Sequence, residues 1–360
     1  MKAVLYATPH GFGHAVRMAC LAEHYLKTGA LAEVVIAAGN KQADFLRSGF
    51  SIPGLYIREI PPEPGLPLRS DFRPDLLRLA CELPRWIRTW DAWIANEIDF
   101  VRAFSPAFLI SDCSPQPLLL AHEARIPSIL VSNFTWGEIY APLLPASKDI
   151  SFLNSVYETA SEVIKLPGGS DSERADSGFF SRRPHPERVA QIRLAADGDP
   201  IVFFSMGRMA INGSSFDLFG VHARIFSTKG TVCENALVEE IPLECCHTQD
   251  YVAAADLVVT KAGWATLAEA VNNRRPILLL QRPRVSEDAN AAAFLRSKGV
   301  ASVCQISDYE PQRITQALAN RYEAAARYDE SDWWKDDTAS VARTVILAAS
   351  GHLADQVSNT

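Results

Sequence analysis

The chain has 360 residues, 48% hydrophobic and 21% charged, the balance of a packed protein and not of a disordered or fibrous one. Its 35 Lys and Arg against 42 Asp and Glu give a net charge of -7, which, without any basic run, argues against a nucleic-acid partner. The length exceeds what one core usually supports, ~250–300 residues, so two domains are expected.

No apolar stretch approaches the ~20 residues of a bilayer-spanning helix, so a cytoplasmic location without a transmembrane segment is expected; peripheral membrane contact stays compatible with that. The seven cysteines include no C-x-x-C spacing and read as small buried thiols, with no metal site.

In chain order, Ala3 to Ala7 is a buried strand, Gly11-Phe12-Gly13 a turn, and His14 to Lys27 a helix with Val16, Cys20, Leu21 and Tyr25 on one face. Strand Glu33 to Ala38, helix Lys41 to Ser48, strand Leu55 to Ile60 and a Pro-rich loop from Pro61 to Pro67 follow. One long helix is expected from Pro74 to Phe104, carrying Trp86, Trp90 and Trp93 on one face. Strand Ala107 to Asp112, helix Pro115 to Ala124 and strand Ser128 to Ser132 complete a unit whose alternation indicates a parallel sheet covered by helices.

From Pro167 to Asp199 the text is polar and broken by Gly and Pro, as a linker would be. A second alternating unit begins at Ile201 to Phe204 with the turn Ser205-Met206-Gly207. Short strands follow near Arg224 to Phe226 and Ala236 to Val238, then strand Asp256 to Val259, helix Thr266 to Asn272, strand Ile277 to Leu280 and helix Ala289 to Lys298. The expected domains are 1–165, a linker at 166–199, 200–335, and a final helix within 336–360 placed to pack back on the first domain. Two such units facing each other make a cleft, where ligands bind.

Gly11-Phe12-Gly13-His14 follows the first strand and opens the first helix, so backbone amides and the helix dipole form a natural anion site there. Val16 stands where a dinucleotide fingerprint needs glycine, and no acidic residue ends the second strand, which argues against an NAD site. His14 is suited to deprotonating a hydroxyl, and Asp112, ending another strand of the same sheet, is placed to orient it. His10 on the same turn is a substitute base; His24, His122 and His185 show no partner in sequence.

In the second unit, His247-Thr248-Gln249-Asp250-Tyr251 leads into a strand and then Lys261-Ala262-Gly263-Trp264-Ala265-Thr266, with Glu269 one turn into the helix. Arg275-Pro276, Glu287-Asp288 and Asn290-Ala291 follow. This passage resembles the nucleotide-sugar signature of the GT-B glycosyltransferases, α/β proteins with two facing Rossmann-like domains and a cleft between them. Among these it is similar to the inverting UDP-glycosyltransferases and the N-acetylglucosaminyltransferase of peptidoglycan synthesis. Two positions depart from the plant-type signature: Lys261 stands where it has His, and Glu287 where it has Gln.

The first half carries the likeness further. Gly11-Phe12-Gly13-His14 with Arg17, Ser111-Asp112, and Ser132-Asn133-Phe134-Thr135-Trp136 resemble the glycosyltransferase-like region of plant L-arabinokinases. The same Gly-Phe-Gly-His-x-x-Arg resembles the UDP-sugar hydrolase of pseudaminic acid synthesis.

The resemblance implies a metal-independent inverting glycosyltransferase with no cofactor beyond its nucleotide-sugar co-substrate. His14 and Asp112 would be catalytic. Ser205, Gly207, His247, Gln249, Lys261, Gly263, Thr266, Glu269, Glu287 and Asp288 would bind the donor, with UDP favoured as its nucleotide. Gly11, Gly13, Arg17 and Trp136 would form a phosphate or acceptor loop, with Glu138 beside Trp136. The aromatic loops holding Leu66, Phe72, Trp86 and Tyr140 suggest a small-molecule or lipid acceptor. A nucleotide-sugar hydrolase or epimerase, and a non-catalytic nucleotide-sugar-binding regulatory module, are the alternatives.

Overall fold

The structure is a computed structural model and describes residues 1–170, 175–207, 215–234, 237–242 and 245–358, with side chains described through His352. The chain divides into two compact units. Residues 1–67, 75–177 and 337–360 form the first, and 68–74 and 178–336 the second.

The first unit is a six-stranded sheet of β1 (Lys2–Ala7), β2 (Glu33–Ala38), β3 (Leu55–Glu59), β4 (Phe108–Asp112), β5 (Ser128–Ser132) and β6 (Glu162–Lys165), in the order β3-β2-β1-β4-β5-β6. Every pairing is parallel. Helices cover both faces of such a sheet, so its central strands are buried throughout: every residue of β4 and β5 is buried, whereas the edge strand β3 is only partly buried and β6 is largely exposed. The strand order reverses between β1 and β4, where Ala7 pairs with Asp112. Ligands of open parallel sheets collect at the strand C-termini beside such a reversal.

The second unit repeats the plan with β7 (Ile201–Ser205), β8 (Ser215–Asp217), β9 (Arg224–Thr228), β10 (Val232–Glu234), β11 (Val238–Ile241), β12 (Leu257–Thr260), β13 (Ile277–Gln281) and β14 (Ala301–Gln305). Six of these form a parallel sheet ordered β11-β9-β7-β12-β13-β14, and β8 pairs with β10 alone. Here the reversal lies between β7 and β12, with Ser205 beside Thr260. Both units are therefore Rossmann-like.

Four expectations are revised. The long helix is two, Leu76–Ile87 and Trp90–Phe104. Thr89 causes the break: its amide and hydroxyl both donate to Trp86 O, at 2.9 and 2.7 Å, closing the turn three residues back and ending the helix. The described residues of the expected linker, 166–170 and 175–199, belong to the two units. The units divide after Ser177, the helix Pro186–Ala195 belongs to the second, and Phe179 and Phe180 pack on Trp264 with ring centroids 5.3 and 5.1 Å apart. The short strand expected from Ala236 begins at Val238, Ala236 itself lying outside the described residues. Phe72, read as part of an acceptor loop, lies in the second unit, 6.5 Å from the Phe216 ring.

The final helix, Thr338–Ser358, is part of the first unit, where Tyr25 Oη donates to Ala342 O at 3.3 Å. Val341, Val345 and Ala349, four residues apart, are its buried stripe.

Candidate active site

The helix Phe12–Thr28 starts directly after the turn that follows β1. His14 and Arg17, three positions apart, share one face of it and meet Asp112 at the end of the neighbouring β4. His14 Nδ1 lies 3.0 Å from Asp112 Oδ1. Arg17 grips the same carboxylate at two points, Nε donating to Oδ2 at 2.9 Å and Nη2 to Oδ1, and its Nη1 donates to Asn133 Oδ1 at 3.0 Å. Three adjacent strand ends, β1, β4 and β5, thus assemble one cluster.

Burial alone would raise the Asp112 carboxyl, but the Arg17 and His14 charges and their hydrogen bonds overcome this and hold it below the usual carboxylate range. An ionised Asp112 accepts, so we assign the proton to His14 Nδ1, which leaves Nε2 as the basic nitrogen. Arg17 is 2% exposed. The phosphate or acceptor contact expected of it is replaced by an internal ion pair, because its guanidinium is already committed to Asp112 and Asn133.

Sequence reasoning missed Glu63, in the loop after β3. Its carboxyl accepts from Thr8 Oγ1 at 2.7 Å, from Trp136 Nε1 at 3.2 Å and from Ser114 Oγ. Burial pushes this carboxyl above the usual range, and the three donors and nearby His14 bring it only part of the way back. The run Pro-Pro-Glu-Pro-Gly from 61 to 65 was its only signal, a lone acid inside a stiff loop.

Aromatic rings close the same region: Phe134 meets His14 at 5.9 Å and Trp136 at 5.3 Å, Trp136 meets His10 at 5.2 Å, and Tyr140 stacks on Trp136. Trp136 and Tyr140 are fully buried and Trp86 nearly so, so they pack the unit and do not line its surface. Glu138 completes a capping box with Thr135, a structural task. His10 sits under Gly65, whose φ of +59° and closeness to the ring admit no side chain.

In the second unit, the turns after β7 and β12 converge. Gly207, at φ +80°, has Lys261 Cε 3.2 Å from where a side chain would begin. The Lys261 ammonium stands 3.7 Å from the equivalent point on Gly263, the N-cap of the helix Trp264–Asn272, whose first turn holds no acidic residue. Burial, with Arg282 nearby, lowers the Lys261 ammonium below the usual lysine range, Glu287 and Asp288 opposing. A lysine and a helix N-terminus together suit a diphosphate. Thr266 is half-buried in that helix. Ser205 turns inward, within 2.9 Å of Thr228 Oγ1 and accepting from Gly207 N at 3.3 Å, so it shapes the turn.

The expected sugar contacts, Glu287 and Asp288, are held by Arg282, which the sequence reading overlooked. Asp288 is fully buried and accepts from Arg282 N at 2.7 Å and Nε at 2.9 Å, while Glu287 accepts from Nη2 at 3.2 Å. Glu269 is likewise occupied: Arg182 donates to its Oε1 through Nε at 2.8 Å, and to Cys246 O and Thr248 Oγ1. Burial raises the Glu269 carboxyl, with Arg182 opposing. His185 is not partnerless, since its amide and Nδ1 face Asp250 at 2.8 and 3.1 Å beside Arg188. His247 lies 4.9 Å from the His185 ring, and burial with the Arg188 charge lowers its imidazole. Gln249 is buried, and its Oε1 has no hydrogen bond among the described residues.

Comparison with known proteins bears on the second unit and on the fold. Residues 243–338 match the glycosyltransferase family 28 C-terminal domain. The L-arabinokinase of Arabidopsis thaliana is 26% identical over 325 residues, 81% of this chain and 29% of that protein, so the chain spans under a third of this relative. The UDP-N-acetylglucosamine--N-acetylmuramyl-(pentapeptide) pyrophosphoryl-undecaprenol N-acetylglucosamine transferase of Porphyromonas gingivalis is 26% identical over 68% of this chain and 69% of its own. Spinosyn rhamnosyltransferase SpnG superposes with a TM-score of 0.66 at 15% identity, over 96% of this chain and all of that one. The chain therefore has the two-unit α/β fold of the GT-B glycosyltransferase structures, with the match to the family 28 C-terminal domain confined to residues 243–338, and among its described residues no helix is long and apolar enough to cross a membrane.

Proposed function

We propose that the chain is a metal-independent inverting glycosyltransferase that moves a sugar from a nucleotide-diphosphate sugar, UDP favoured, to a hydroxyl of a small-molecule or lipid acceptor. The observation that carries this reading is the His14–Asp112 contact of 3.0 Å, with the carboxylate ionised and buried. His14 Nε2 takes the acceptor proton as the hydroxyl oxygen attacks the anomeric carbon, and the bond to the diphosphate oxygen breaks on the opposite face. The leaving diphosphate is received by the helix N-terminus at Gly263 and by Lys261, fixed charges that need no reorganisation as negative charge develops. Glu269 keeps Oε2 for a ribose hydroxyl while Arg182 holds Oε1.

The test is nucleotide release from a panel of UDP-, dTDP-, GDP- and ADP-sugars with pooled acceptors. His14→Ala should abolish turnover and leave nucleotide affinity near wild type, and Glu269→Ala should weaken nucleotide binding. Equal loss of both functions in either variant overturns the division of roles. The likeness to part of an L-arabinokinase supports one second reading, a nucleotide-sugar-binding regulatory module: tight binding without release to any acceptor, water included, would select it.

A further inference from the structure

Around His14, the charged and titratable groups come from each element packed against it. Its own helix brings Arg17, β4 brings Asp112, the turn before the helix brings His10, and the loop after β3 brings Glu63; the segment after β5 brings only neutral Asn133, Phe134 and Trp136. Asp112 is not a lone counter-charge. Arg17 holds both of its oxygens and also sets a guanidinium nitrogen 3.2 Å from His14 Nδ1. The Asp112–Arg17 pair is therefore close to neutral as seen from the imidazole, and Arg17 itself opposes a positive ring.

Glu63 is bound differently. Its hydrogen-bond partners Thr8, Ser114 and Trp136 are all neutral, and they hang it from the strand ends that carry the His14 cluster. Thr8 follows β1, and its amide donates to Asp112 O at 3.4 Å; Ser114 lies two residues beyond Asp112. Trp136, the third donor, touches Phe134, which touches His14.

We propose that Glu63 is a positioning residue acting through His14: its carboxylate supplies the net negative charge that stabilises the imidazolium formed when His14 accepts a proton, while Asp112, paired with Arg17, fixes the ring's tautomer and direction. With Glu63 ionised and His14 neutral, the four groups Asp112, Arg17, Glu63 and His14 sum to one negative charge; once His14 takes up a proton they sum to zero. A buried cluster that becomes neutral on taking up the proton favours the charged intermediate. The coupling runs both ways, since His14 is among the groups that draw the Glu63 carboxyl down. This inference rests on His14 acting as the base, and its first test needs no turnover.

The experiment is an NMR titration of the full chain carrying 13C-labelled glutamate, with the Glu63 carboxyl signal identified by its loss in Glu63→Gln. In His14→Gln, and in His14→Asn should the first variant unfold, the Glu63 midpoint should move up by about one unit, the scale expected on removing a nearby positive charge in a protein interior. An unchanged midpoint in a folded variant overturns the inference. If a nucleotide-sugar is turned over, Glu63→Gln should displace the acid limb of the pH profile by about one unit to lower pH, and Glu63→Asp should restore most of it. A lowered rate with an unmoved limb would make Glu63 structural only and also overturn the inference. Coupling without turnover would instead count against the transferase reading alone.

Discussion

Arg17 and Asp112, 95 positions apart, form a two-point ion pair beneath His14, with Arg17 Nε 2.9 Å from Asp112 Oδ2. Both side chains are buried, so the pair stands or falls together. Arg17→Ala leaves a buried carboxylate uncompensated and should cost about 3–5 kcal/mol in urea unfolding. Asp112→Asn combined with Arg17→Ala should cost clearly less than the two single losses added, and strict additivity would mean the pair contributes nothing as a unit.

The two carboxyls near His14 should have opposite effects on stability against pH. Asp112 is depressed in the fold, so its contribution is complete above the unfolded value of ~3.9 and is lost as pH falls through the lower folded value. Glu63 is raised, so its contribution is complete below the unfolded value of ~4.3 and is lost as pH rises through the folded value. Asp112→Asn should therefore flatten the acid-side decline, and Glu63→Gln should remove a decline that begins above ~4.3. Denaturant midpoints from pH 3 to 8, taken for each variant, would separate these.

Glu269 depends on Arg182 in the second unit. Arg182 reaches that carboxylate, Cys246 O and Thr248 Oγ1 from a segment that looks like linker in sequence. Arg182→Ala should lower stability by about 3–5 kcal/mol, more than an exposed pair of the same type such as Arg224–Glu239, expected at about 0–1 kcal/mol. Similar losses at both sites would mean that the Arg182 site is more hydrated than its burial indicates.

Gly65 should resist substitution for two separate reasons. Its φ is +59°, and a side chain there would begin 1.9 Å from His10 Nδ1. Gly65→Ala should lower the melting temperature more than Gly198→Ala, which shares the positive φ, at +89°, but faces open space. Trimming the ring with His10→Ala should recover part of the loss; no recovery would place the whole cost in the backbone.

The sequence by itself determined the two parallel sheets, because short apolar runs such as Phe108 to Ile110 and Ile201 to Phe204, alternating with helices, fit strands buried on both faces. It also marked His14 and Asp112 as candidates and Gly263 as the start of a helix, since a glycine turn and a strand-end carboxylate are local signals. What only the tertiary structure decided is the charge environment of those residues. That Asp112 is paired with Arg17 and Glu269 with Arg182, and that Glu63 is hung from the strand ends that carry the His14 cluster, follows from strand register and loop closure across tens of residues. Hydrophobic period is written into neighbouring positions, whereas the partner of a buried charge is set by whichever side chain the finished fold brings within about 3 Å of it.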